Sequence, residues 1–222
     1  MARAKVRIRF RKNGDLRLIG HHDLMRCFER MLRRAALPFH STEGFNPKPR
    51  LVFALPLPLG IIGCDEVADL ELDASVAPEE IRERLARQAP AGLEILAADS
   101  IDHRTKAHAR LACYRVSVPS DRSAAVPERV SALLTRPECW IERRRPQWRK
   151  LNVRPYIQAV RMLPGTLEMD LVVTPGGTVR PEEILGLLGL EDLLEEGAVL
   201  QRTRLELEEE PVPLPLLGRV PQ

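Results

Sequence analysis

At 222 residues the chain is long enough for one large domain or two small ones, and its 44% hydrophobic fraction supports a real core and excludes wholesale disorder. Net charge is +3, but residues 1–50 hold 13 Lys/Arg against 4 Asp/Glu, so a basic first quarter precedes an acidic remainder and points to an anionic partner such as nucleic acid. The four cysteines (Cys27, Cys64, Cys113, Cys139) form no C-x-x-C pair, which argues against a zinc ribbon or an iron–sulfur cluster, and no apolar run approaches the 18 residues of a membrane span.

The opening residues MARAKVRIRF lack the apolar core of a secretory leader, so a reducing cytoplasm is the expected setting. Lys5 to Arg11 alternates: Val6, Ile8 and Phe10 point one way, Arg7, Arg9 and Arg11 the other, as in a half-buried strand. After a KNGD turn, His21 to Leu37 reads as a helix with Leu24, Phe28, Met31, Leu32 and Ala35 on one stripe, ended by Pro38. Leu51–Leu59 is strand-like but bent by Pro56 and Pro58; Val67–Asp73 is a third strand. Pro78 starts a helix to about Gln88, and Leu93–Ala97 is a fourth strand.

The polar stretch DSIDHRTKAHAR connects this unit to a second. There Tyr114–Val118 is a strand and Pro127–Leu134 a helix; Tyr156–Leu163 and Thr166–Thr174 are strands around a PG turn, Pro181–Leu188 a helix and Arg202–Glu208 the last strand. The expected fold is α+β, with two tandem ferredoxin-like β-α-β-β-α-β modules over residues 1–103 and 104–222. The second is degenerate, with a basic insertion at 139–154 and a Pro-rich tail at 211–222.

Five features carry candidate chemistry. The first is the face of Arg7, Arg9 and Arg11, which either meets phosphates or pairs across to Asp69, Glu71 and Asp73 on the neighbouring strand. The second is the helical stripe of Arg26, Arg30, Arg33 and Arg34, whose mutual repulsion is relieved if phosphates lie opposite. The third is GHHD: His21, His22 and Asp23 offer general acid–base groups, or else a helix cap from Asp23 or a residue just before it. The fourth is the loop Gly44, Phe45, Asn46, Pro47, Lys48 and Pro49, stiffened by its prolines, with Phe45 as anchor or stacking platform. The fifth is the segment with Arg143, Arg144, Arg145, Trp148, Arg149, Lys150 and Arg154, where cations interleave with an aromatic in the manner of nucleic-acid contacts; a solvated hairpin is the alternative. No metal ligand set is evident in the spacing, and no cofactor is expected.

The run RIRFRKNGDLRLIGHHDLMRCFERMLRRAALPFHSTEGFNPKPRLVFALPLPLG resembles the start of the radical SAM-linked protein family, a bacterial domain of unknown function. Its members occur beside, or fused behind, cobalamin-binding-type radical SAM proteins. The likeness is dense over residues 5–73 and resumes at NVRPYI, 152–157. Matching positions include His21, Asp23, Gly44, Phe45, Asn46, Pro47 and Pro49, then Pro56, Pro58, Gly60, Arg154 and Pro155. Gly20 replaces the usual serine, His22 an apolar residue and Asn152 a common aspartate. The chain has no C-x-x-x-C-x-x-C, so the resemblance implies an accessory role rather than the radical chemistry itself.

The expected function is therefore to bind structured RNA, ribosomal or transfer, and present it to a radical SAM partner: the first-helix arginines and the 143–154 segment contact phosphates, the Gly44–Pro49 loop with His21 and Asp23 nearby forms the specific pocket, and Arg154 is a further substrate-binding candidate. One alternative is a protein-docking module for that partner without RNA. The other is a metal-independent endoribonuclease using His21 or His22. It rests on fold analogy to CRISPR-transcript endoribonucleases, although no glycine-rich loop of their kind lies near the C-terminus.

Overall fold

The computed structural model describes residues 3–144 and 148–208; Arg145 and the 211–222 tail lie outside them. The chain is α+β, with a mostly antiparallel sheet and few helices. Strand β1 (Ala4–Lys12) buries Val6, Ile8 and Phe10. Helix α1 (His21–Arg34) lays Leu24, Phe28, Met31 and Leu32 against them. It stops three residues before the expected Leu37. Ala36 takes φ +50°, and the Leu37 N–H closes on the Leu32 carbonyl at 3.3 Å, so the helix ends before Pro38 is reached.

Strand β2 is only Leu51–Phe53, not Leu51–Leu59. Pro56 and Pro58 have no N–H for a ladder, and the chain leaves the sheet after Ala54. Strand β3 (Ile62–Leu72) begins five residues earlier than its apolar pattern suggests. Helix α2 (Pro78–Ala86) and β4 (Leu93–Ile101) complete the first half. β5 (Ala109–Ser117), the short α3 (Ser120–Ser123) and α4 (Val126–Thr135) open the second. The hairpin β6 (Trp140–Arg143) and β7 (Arg149–Asn152) follows, then β8 (Ile157–Leu163) and β9 (Thr166–Val172). The chain continues through α5 (Pro181–Leu187) and β10 (Gln201–Leu207).

The main sheet runs β4-β1-β3-β10-β5-β9-β8, with β2 on the second edge of β3; β6 and β7 form their own two-stranded sheet. The first half is ordered β4-β1-β3-β2 and the second β10-β5-β9-β8. They join where β10 runs parallel to β3, pairing Gln201 with Ile62 and Arg202 with Gly63. The other pairings are antiparallel.

The described residues form two apolar cores. One holds β1 and α1 with Leu70, Leu72, Ile81 and Leu85. The other packs α4 and α5 on Leu167, Met169 and Leu171, and it also takes in Leu57, Ile61 and Val67 from the first half. The PLPLG stretch thus carries first-half leucines into the second core. No helix among the described residues is long and apolar enough to cross a membrane.

Candidate nucleic-acid interface

The loop from Phe39 to Arg50 is tied to the free edge of β3. The His40 N–H donates to the Glu71 carbonyl at 2.8 Å, and the Glu71 N–H donates to that of Arg50 at 3.1 Å. Arg50 N–H donates back to His40 at 2.8 Å, Thr42 N–H to the Lys48 carbonyl at 2.8 Å, and Lys48 N–H to Thr42 Oγ1 at 3.1 Å. The result is a narrow ribbon whose tip is Gly44 to Pro47. Gly44 sits at φ +124°, where L side chains are strained. Phe45 is fully exposed, so its ring does not anchor the loop.

Helix α1 faces this ribbon. Arg33 does not lie free on the surface: it donates to Glu29 at 3.0 Å and to the Pro47 carbonyl at 3.4 Å, and its guanidinium lies 5.7 Å from the Phe39 ring centre. It holds the loop to the helix. Arg26 makes one long contact, 3.4 Å, to Asp23. Arg30 and Arg34 are exposed and make no hydrogen bond or ion pair with the described residues. Between helix and loop lies a pocket of about 130 Å3, walled by His22, Met25, Arg26, Glu29, Lys48, Pro49 and Leu51.

The His21 and His22 rings stand 6.0 Å apart, tilted by 50°, but the two side chains have different surroundings. Gly20 is the cap residue of α1 and offers no side chain, while Asp23 lies in the first turn and pairs with Arg26 instead of capping. His22 turns to the loop pocket. His21 packs edge-on to Phe53, 5.2 Å between ring centres, with a buried Nδ1 that has no partner among the described residues. Burial, then His22, Arg202 and Lys12, holds its pKa below the ordinary value.

The second basic segment divides. Arg143 is drawn inward, donating to both carboxylate oxygens of Glu183 at 2.7 Å and to the Thr178 carbonyl at 2.8 Å. Arg154 is likewise engaged, donating to the carbonyls of Ile157 and Leu134 at 3.0 Å each, which fastens the chain after β7 to the end of α4. Asn152 Oδ1 accepts the N–H groups of Cys139 (2.9 Å) and Arg154 (3.2 Å). Arg144, Trp148, Arg149 and Lys150 remain exposed around the hairpin. On β1, Arg7 pairs with its register neighbour Asp69 at 2.8 Å, whereas Arg9 pairs with Asp65 and Arg11 with Glu94 rather than with Glu71 and Asp73.

A buried charge row was not foreseen from the sequence. On adjacent strands at the joint stand Lys12, Glu66, Arg202 and Tyr114. Arg202 is wholly buried; it donates to Glu66 at 2.8 and 2.5 Å and to the Leu55 and Pro56 carbonyls at 2.9 and 3.1 Å. Lys12 donates to the Ile19 carbonyl at 3.0 Å; burial lowers its pKa, partly opposed by Glu66. Gly63 leaves room for the pair, since a Cβ there would stand 2.5 Å from Glu66 Cγ. A cleft of about 750 Å3 opens beside Arg202 and Tyr114. The only hint in the sequence was charge at strand positions; nothing local pairs residue 66 with residue 202.

Residues 5–181 match the model of a family described as "Uncharacterized protein conserved in bacteria (DUF2344)". The chain belongs to this family. No curated protein matches it. Among solved structures, "an Unknown Protein from Galdieria sulphuraria" aligns over 93% of this chain and 99% of its own, at 12% identity and a TM-score of 0.27, too low to bear on the fold. The stretch matched to DUF2344 contains α1, the Gly44–Pro49 loop and the β6–β7 hairpin, and it ends before β10 and Arg202.

Proposed function

We propose that this DUF2344 protein binds structured RNA, ribosomal or transfer, and presents it to a separate radical SAM enzyme of the cobalamin-binding type. The observation that carries the reading is Phe45. Its ring stands fully exposed on a loop that is pinned to β3 and also carries Lys48, while Arg30 and Arg34 stand exposed on α1. An aromatic platform among cations is how sequence-tolerant strand binding is built. Arg144, Trp148, Arg149 and Lys150 supply a second surface of the same composition. Arg33, Arg143 and Arg154 take structural parts in this reading. The radical SAM partner rests on the resemblance of residues 5–73. Architecturally, we read the halves 1–103 and 104–222 as two ferredoxin-like units, the second interrupted by the hairpin.

The test is a salt titration of purified protein against labelled RNA, with DNA as control. Each phosphate contact to a single strand adds about 0.7 to the slope of log affinity on log salt. The triple variant R26A/R30A/R34A is expected to lower that slope by about 2 and weaken binding. An unchanged slope sinks the reading. Co-elution with the radical SAM partner without any RNA affinity leaves the docking module, and cleavage lost with H21A/H22A leaves the ribonuclease.

A further inference from the structure

Resting on the RNA reading above, we propose that the pocket between α1 and the loop holds the terminal phosphate monoester of an RNA strand. His22 and Arg26 stand one helical turn apart on α1, and Lys48 lines the same pocket from the loop, so three nitrogen-bearing side chains belong to one small space, with Arg26 also 3.4 Å from Asp23. Its volume, about 130 Å3, is ample for a phosphate group. Met25 and Leu51 give it apolar wall, which limits competing water. The one carboxylate in the lining, Glu29, is engaged by Arg33 at 3.0 Å.

An end suits this space better than an internal linkage. A phosphodiester must admit chain on both sides, whereas a monoester enters by one. A monoester also carries about −1.5 to −2 charge at neutral pH, which rewards converging cations more than the single charge of a diester. Beyond the pocket the helix continues the track. Arg30 and Arg34 follow Arg26 at four-residue steps, each about 6 Å along the axis at 1.5 Å per residue, a spacing close to that of successive phosphates on one strand. Neither has a partner among the described residues.

The experiment compares three internally labelled single-stranded RNAs of one sequence, carrying a 5′-monophosphate, a 3′-monophosphate or hydroxyls at both ends, by fluorescence anisotropy at fixed salt. One phosphorylated end is expected to bind about tenfold tighter than the hydroxyl form, and the arms tell which end it is. The variant R26A/K48A, whose side chains are both exposed, is expected to fold normally by thermal unfolding and to lose that preference. Equal affinity for all three RNAs overturns the terminal-phosphate site while leaving RNA binding standing. A preference that survives in R26A/K48A also overturns it. Absence of binding to every RNA overturns both this inference and the RNA reading.

Discussion

Placing the Arg202 guanidinium at 0% exposure takes a full cation out of water, and the molecule answers with a bidentate carboxylate and two backbone carbonyls. Removing one partner strands the other. Arg202→Met is therefore expected to cost about 3–5 kcal/mol, read as a fall in the urea midpoint. Arg202→Met with Glu66→Met is expected to regain most of the loss, because no buried charge is then left over. His21 makes a second prediction. Its folded pKa lies below the ordinary 6.5, so as pH falls through 6.5 the unfolded chain takes up the proton first. The contribution is full above pH 6.5 and is lost as pH falls toward the lower folded value. His21→Phe keeps the contact with Phe53, and its stability is expected to fall less than that of the wild type between about pH 7 and pH 5, measured by denaturant titration. Equal slopes would show that His21 does not titrate differently on folding.

At the scale of elements, the loop is the part whose conformation matters most. Gly44 has open space around a would-be Cβ, so Gly44→Ala meets no clash, only the backbone strain of φ +124°. That strain is of the order of 1–3 kcal/mol and is relieved if the tip opens. RNA affinity is then expected to fall while the global unfolding midpoint shifts by less than for Arg202→Met; an unaltered affinity would separate the loop from binding. Much of this was legible in the chain. The period of Leu24, Phe28, Met31 and Leu32 located α1, and the alternation of Val6, Ile8 and Phe10 located β1, because each side chain answers to one nearby face. The ends were less legible. Ala36 in the left-handed region stopped α1 before its proline could. β3 began early because its first residues are held by β10, more than a hundred residues away.

At the scale of the whole molecule, the two halves share a sheet and a core. Leu57, Ile61 and Val67 bury themselves in the second half, and Glu66 meets its cation there. Residues 1–103 expressed alone would expose those side chains and leave Glu66 without Arg202. The fragment is expected to bind a hydrophobic dye and unfold at lower urea than the intact chain, which is expected to show one cooperative transition. A fragment as stable as the whole would mean that the joint contributes little.

The sequence by itself determined the α+β class, the basic first quarter, the stiff Gly44–Pro49 loop and the positions of most elements, all of which follow from composition and local period. Only the tertiary structure decided which arginines are free. Arg30 and Arg34 stand in solvent, whereas Arg33, Arg143, Arg154 and Arg202 are held by carbonyls and carboxylates, those of Arg143 and Arg202 supplied from far along the chain. A guanidinium's availability depends on what the fold brings within 3 Å of it, and residue type and spacing do not encode that distance.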